Sequence, residues 1–239
     1  MEIVLRPAWS AALPQALGVL VLVVCLPLAL VSLTVNTLLY DARFYEEGQQ
    51  RFALGRTTAL TLPELRAINA GIIRYFQTPT ESLPQALAAS GAPSDTFNQR
   101  ELLHMEDVRH LVWWVGRVQW ATLGAAALVT VGLLLWRGAA AIPLLGTAAL
   151  LGGGLTLLLI GALGAAAVLD FHRFFVRFHL LSFANDYWIL DPRTDRLIQM
   201  FPWQFWFMAS LTIAWRTALL AVGLIVIGTL ALVLSARRG

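Results

Sequence analysis

The 239-residue sequence has no lysine; all 17 of its basic residues are arginine. A lysine nucleophile or Schiff base is therefore excluded. Charge of either sign is scarce, at 13% against the roughly 25% usual in soluble domains. Cysteine occurs once, at Cys25, so there is neither an internal disulfide nor a cysteine-based metal site. Cys25 lies inside an apolar stretch and reads as inert. The LVVC that ends on it lacks the small residue of a lipoprotein signal, and no A-x-A follows, so the stretch is expected to be a retained signal anchor. G-x-S-x-G, H-E-x-x-H, P-loop, dinucleotide and C-x-x-C motifs are all missing. No metal and no cofactor is expected, because His104, His179 and their neighbouring aspartates lack tight ligand spacing. The arginines are scattered rather than clustered, so the pI of about 9.6 points to loop charges and membrane anchors, with no nucleic-acid partner.

What is abundant is apolar. The chain is 58% hydrophobic with a mean hydropathy of +0.70, more than one water-facing core can bury. Four stretches reach the roughly 20 residues that cross a bilayer: about 17–38, 111–136, 141–169 and 205–234. Each is expected to be a helix, because a span must satisfy its own backbone polar groups. The fold class is thus an all-α membrane protein. Its 239 residues are expected to form one membrane domain, a four-transmembrane-helix bundle with a mainly helical cap and room for a short β-hairpin.

Arginines in short flanks orient the chain. Arg6, Arg137, Arg237 and Arg238 fall on one side of a four-span layout, which is then the cytoplasm and holds both termini. The outer segments, about 39–110 and 170–204, face outward. Trp113, Trp114, Trp203 and Trp206 mark the outer interface as an aromatic belt.

In the first outer segment Thr61-Leu62-Pro63-Glu64 is a capping box, and Leu65, Ile68, Ile72 and Tyr75 follow on one helical face. Ser90–Ser94 reads as a loop. From Glu101 a helical pattern runs into the second span. In the second outer segment Phe171, Phe174, Phe175, Phe178 and Leu181 form an apolar stripe opposite Arg173 and Arg177, with His172 and His179 at its edge. This is the pattern of a helix lying in the membrane interface. Asp191–Asp195 reads as a tight turn, the place for the hairpin.

The four histidines, His104, His110, His172 and His179, all fall in these outer segments or at their edges. Histidine suits proton transfer near neutral pH. In ELLHMEDVRH, residues Glu101, His104 and Asp107 are spaced by three and share a face, so a carboxylate can orient the imidazole. His104 stands seven residues before Leu111, roughly 10 Å along a helix, at headgroup depth. Arg117 and Arg216 sit in apolar surroundings near the outer boundary, where they either snorkel to the headgroups or stabilise an oxyanion.

ELLHMEDVRHL before the second span, and FHLLSFANDYWILDPRTDRLIQMFP between the third and fourth, resemble the bacterial four-span family of the lipoprotein intramolecular transacylase, Lit. The likeness covers the topology and both outer blocks. It implies a bacterial inner-membrane acyltransferase acting on a diacylated lipoprotein among membrane lipids. Such an enzyme moves the sn-2 acyl chain from glycerol to the α-amine of the N-terminal cysteine and leaves a lyso-form lipoprotein. The family's functional histidines map onto His104 and His179. Asp107, Asn185, Asp186, Arg117 and Arg216 are the candidates for orienting or binding substrate. The reaction makes an amide from an ester and needs proton transfer, not a cofactor, which agrees with the missing motifs. Two other readings stay open on the residues alone: a membrane lipid or ester hydrolase using the same histidines, and a non-catalytic membrane scaffold or sensor.

Overall fold

The computed structural model describes residues 9–237, so Arg6 and Arg238 lie outside the described residues. Every regular element among them is helical. In chain order these are α1 (Trp9–Leu39), α2 (Ala42–Arg51), α3 (Leu54–Thr58), α4 (Leu62–Gln77), α5 (Leu83–Ala89), α6 (Gln99–Arg137), α7 (Ile142–Leu169), α8 (Phe171–Ser182), α9 (Arg196–Met200) and α10 (Trp203–Ala236).

Three continuous helical stretches are long and apolar enough to cross a membrane: Ala12–Leu39, Gln99–Leu169 and Trp203–Ala236. The middle one has 71 residues, far beyond the roughly 20 that one crossing needs. It breaks at a 3₁₀ turn, Gly138–Ala141. There Gly138 takes a φ of 56°, a left-handed conformation that glycine adopts without a Cβ penalty. Pro143 then stands in the first turn of α7, where its missing N–H costs nothing.

The chain divides into two compact units. The first holds 117–162, 214–237 and the chain up to Leu33. Its helices approach closely at small residues, as membrane helices do. A Cβ on Gly18 would touch Val129 and Leu133 of α6, and one on Gly152 would meet Leu26 of α1 at 2.6 Å. Gly146 of α7 and Gly228 of α10 pass backbone against backbone. Leu22, Leu133, Ala141 and Ala148 form a small buried cluster. Large apolar side chains point outward, Leu135 being 83% exposed, which is the surface of a lipid-facing protein.

The second unit, 34–116 and 163–213, carries the larger core. The expected capping box is present: the Thr61 side chain accepts from Glu64 N, and the Glu64 carboxylate accepts from Thr61 N at 2.7 Å. Leu65, Ile68, Ile72 and Tyr75 are all buried. A second capping box, Ser82 with Gln85, starts α5 from the same kind of sequence signature. Gly71 lets α4 lie against α5, since a Cβ there would meet the Leu87 Cα at 2.9 Å. Gln49 of α2 and Asn69 of α4 are buried together, each amide nitrogen donating to the other's oxygen at 3.0 and 2.8 Å. Both amides are thereby partnered, and the pair fixes the two helices in register.

Two expectations fail here. No β-hairpin exists among the described residues. The amides of Thr194 and Asp195 donate to the Asp191 carbonyl at 3.1 and 2.8 Å, closing a turn that leads into α9. After it Leu197 and Met200 bury at a spacing of three, a helical and not an alternating pattern. Along α8 the packed line is Phe171, Phe175 and His179, and the apolar Phe178 and Leu181 are exposed, as a face turned to lipid is; what does not hold is the shared placing of His172 with His179. His172 is exposed as well, so the two histidines of α8 do not share an environment.

The close approach of α7 and α10 gives a direct test. A Cβ at Gly228 would lie 2.6 Å from the Gly146 oxygen, while Gly223 of the same helix has open space. Gly228→Leu is expected to lower the melting temperature in detergent by several degrees, from overpacking of about 1–3 kcal/mol. Gly223→Leu is expected to leave it unchanged.

Candidate active site

The site grows from the first turns of α6. Asn98 and Glu101 cap the helix reciprocally: the Asn98 Oδ1 accepts from Glu101 N at 3.1 Å, and a Glu101 oxygen accepts from Asn98 N at 2.8 Å. The second carboxylate oxygen of Glu101 accepts from Leu197 N at 2.6 Å. That amide lies in the first turn of α9, where backbone donors have no partner within their own helix. Asn98 also donates from Nδ2 to Asp195 Oδ1 at 2.9 Å. Arg100 donates to the carbonyls of Ile189, at 3.1 Å, and Asp186. One turn past His104, Asp107 accepts from Asn185 Nδ2 at 2.8 Å, and Asn185 Oδ1 accepts from Tyr187 N at 3.1 Å. The segment 185–197 is thus tied to α6 by Asn98, Arg100, Glu101 and Asp107, all ahead of the apolar part that begins at Leu111.

This lashing brings His104 and His179 together. Each is 7% exposed, and their ring centroids are 6.0 Å apart. Phe183 stands with its ring 5.2 Å from His104 and 5.6 Å from His179. Phe175 and Trp188 pack on His179 at 4.2 and 4.9 Å. The two histidines border a cavity of about 110 Å³ walled mainly by apolar side chains, among them Phe76, Met105, Trp188 and Trp206.

Burial sets the electrostatics. It lowers the His104 pKa from 6.5 to about 4; the neighbouring His179 pushes the same way, and Asp107 opposes both. Burial also lowers His179, against the hydrogen bond to Phe175. His179 Nδ1 lies 2.8 Å from the Phe175 carbonyl oxygen. A carbonyl only accepts, so Nδ1 carries the proton and Nε2 presents a lone pair. Both imidazoles are neutral at pH 7, the state of a proton acceptor. Glu101, only 1% exposed, is raised by desolvation, and its two backbone N–H partners pull it back down.

The other candidates sort by place. Asp107 and Asn185 bond to each other beside His104. Asp186 serves through its backbone, and its side chain is exposed. Arg117 and Arg216 belong to the other compact unit; Arg117 is exposed, and the Arg216 guanidinium lies 5.9 Å from the Trp215 ring. Neither lines the cavity. His110 is exposed beside Trp113. Arg100 and Trp188 were not singled out by sequence reasoning; Trp188 stands in the DYWILDP block, but one tryptophan among nine carries no signal of its own.

The family model described as lipoprotein intramolecular transacylase Lit matches residues 20–206. The chain belongs to the Lit family. It is therefore an enzyme, an acyltransferase of a family that acts on lipoproteins, and a membrane protein. No curated protein matches its sequence. Among solved structures it is similar to the membrane-integral lipoprotein intramolecular transacylase Lit from Bacillus cereus. That likeness has 23% identity and a TM-score of 0.77, over 94% of this chain and 98% of the other. A histidine-to-arginine variant of the Bacillus cereus protein gives 20% identity and a TM-score of 0.78, over 97% of each chain. At these identities the likeness is one of fold, and it extends over nearly the whole of this Lit-family chain.

Glu101→Ala leaves the buried Leu197 amide without its acceptor, at a cost of about 1–3 kcal/mol. Hydrogen exchange at Leu197 is expected to accelerate on the order of tenfold or more, with Glu101→Gln retaining much of the protection. A second outcome concerns pH. Because the folded pKa of His104 lies at about 4, below the ordinary 6.5, the unfolded chain binds more protons between those values. Stability linked to His104 is fully present above about pH 6.5 and is lost as pH falls toward 4. The melting temperature of His104→Gln is expected to fall less steeply over that window than that of the unaltered protein.

Proposed function

We propose that this protein transfers the sn-2 acyl chain of a diacylated lipoprotein's glycerol to the α-amine of the same molecule's N-terminal cysteine. The product is an N-acylated lyso-form lipoprotein, and His104 and His179 are the acid–base pair. One observation carries this reading: two buried, neutral imidazoles 6.0 Å apart at the edge of an apolar cavity, in a chain of the Lit family. The proposal includes the orientation read from the arginine flanks, with residues 39–110 and 170–204 on the outer face of the bacterial inner membrane. Four crossings then place both termini in the cytoplasm.

The chemistry follows from what an ester and an amine require. The amine, with a pKa of about 8, attacks the ester carbonyl once it is neutral, forming a C–N bond and a tetrahedral oxyanion. An imidazole lone pair takes the proton that the nitrogen must lose, becoming imidazolium. The intermediate collapses, the C–O bond to glycerol breaks, and the imidazolium returns its proton to the leaving alkoxide. The proton count is conserved, and no external nucleophile takes part. Acid–base steps of this kind contribute roughly 10²–10⁴-fold each. Asp107 and Asn185 act beside His104 as orienting groups. The aromatic wall keeps water from competing with the amine for the acyl group.

The test is expression in a host that lacks lipoprotein N-acylation, with mass spectrometry of the N-terminal lipopeptide. Lyso-form product is expected, lost in His104→Ala and in His179→Ala. Unaltered diacylated lipoprotein, or free fatty acid in place of the N-acyl product, contradicts the reading. Since both imidazoles must be neutral, and burial holds both below 6.5, kcat/KM is expected to show no histidine limb at or above pH 6.5. The limb it does show, near pH 8, belongs to the substrate amine.

A further inference from the structure

Four buried side-chain polar atoms have no hydrogen-bond partner among the described residues: His104 Nδ1, Arg109 Nε, Trp188 Nε1 and Gln204 Oε1. Leaving a buried donor unmade costs roughly 1–3 kcal/mol, so each such atom calls for a reason. Gln204 Oε1 is an acceptor. Arg109 is held elsewhere: it donates from Nη1 to the Glu81 carbonyl at 2.9 Å and stacks on Tyr75 and Trp113 at 4.2 and 5.0 Å. It does not line the cavity beside the histidines. His104 and Trp188 do. Of these two, only the indole nitrogen is a donor in every protonation state of the protein.

The position of Trp188 is built. Arg100 grips the carbonyls on either side of it, those of Asp186 and Ile189. The Ile189 amide donates back to the Asp186 carbonyl at 3.1 Å, and the Tyr187 amide donates to Asn185 Oδ1. The indole ring lies on the His179 imidazole at 4.9 Å with a 34° tilt. A fixed, desolvated N–H beside one of the two imidazoles is the arrangement that stabilises charge developing on a carbonyl oxygen, because nothing has to reorganise during the reaction.

We infer that Trp188 is a further catalytic residue, whose indole N–H donates a hydrogen bond to the carbonyl oxygen of the substrate ester as it becomes an oxyanion. The inference rests on the acyl-transfer reading above. When the nucleophile's lone pair forms its bond to the carbonyl carbon, the C=O π pair moves onto oxygen, and the Trp188 N–H faces that charge. When the C–O bond to glycerol breaks, the pair returns to re-form the carbonyl. The indole proton is not transferred at any stage. Asn185, one of the candidates for orienting or binding substrate, has its amide engaged with Asp107 and Tyr187 and does not line the cavity.

The experiment compares the full-length protein in detergent or liposomes with Trp188→Phe, and with a variant carrying benzothienylalanine at position 188. The second replacement keeps the bicyclic ring and its stacking on His179 while removing only the N–H, so it decides the matter if the smaller ring disturbs folding. With a synthetic diacylated lipopeptide as substrate, kcat is expected to fall on the order of 10²–10³-fold. KM and the melting temperature of the benzothienyl variant are expected to stay unchanged. An unaltered kcat in that variant overturns the role of Trp188. The same loss of rate in a protein that releases free fatty acid overturns the transacylase reading but upholds the oxyanion donor. No acyl product of either kind from the unaltered protein overturns both.

Discussion

A buried carboxylate holds this site together. Glu101 is separated by 96 positions in sequence from the Leu197 amide it accepts, and it caps α6 through Asn98 at the same time. A charge taken out of water without partners is severely unfavourable, and here both oxygens face backbone N–H groups that would themselves be unpaired without it. One side chain therefore completes two helix starts, capping α6 through the Asn98 amide and α9 through the Leu197 amide. Arg100, Asn98 and Asp107 repeat the device on either side, and the segment 185–197 takes its place from them. His104 rises from α6 and Trp188 from that segment, so their meeting at the cavity is a consequence of polar ties one turn away.

The same burial that fixes the geometry sets the chemistry. The aromatic surroundings of His104 and His179 hold both imidazoles neutral, and the Phe175 carbonyl keeps the proton of His179 on Nδ1. In so apolar a pocket a single hydrogen bond to an oxyanion is far stronger than in water. In the proposed reaction, excluding water also selects the acceptor: a tethered amine in the same molecule competes only with what little water enters. On the proposed reading, acyl transfer and its protection from hydrolysis both come from one feature, the low polarity of the wall.

Much of the protein is legible in its sequence, for reasons that can be named. Apolar stretches long enough to cross a membrane, the Thr61–Glu64 capping box and the face of Leu65, Ile68, Ile72 and Tyr75 are local patterns, and local patterns survive without knowledge of the fold. The four histidines stand out because proton-transfer side chains are rare in this composition, and the resemblance to the Lit family is what singles out His104 and His179 among them. The ties that place them do not stand out, since Leu197 N, Ile189 O and Asp186 O are backbone groups carried by every residue. The hairpin expected at Asp191–Asp195 fails because its carboxylates and carbonyl close a turn into a helix. His172 and His179 fall on similar wheel positions, yet only His179 sits where Phe175, Phe183 and Trp188 converge. A helical wheel gives direction and says nothing of how far along its length a helix is covered.

The central claim is that the lashed segment and the two imidazoles form one pre-organised acyl-transfer site. A structure of the protein with a diacylated lipopeptide whose sn-2 ester is replaced by a non-transferable phosphonate tests it most directly. The account predicts the phosphonate between His104 and His179, one oxygen at hydrogen-bond distance, about 3 Å, from Trp188 Nε1, with the Glu101–Leu197 contact intact. A phosphonate bound away from the two imidazoles, or a bound state in which 185–197 has left α6, contradicts it.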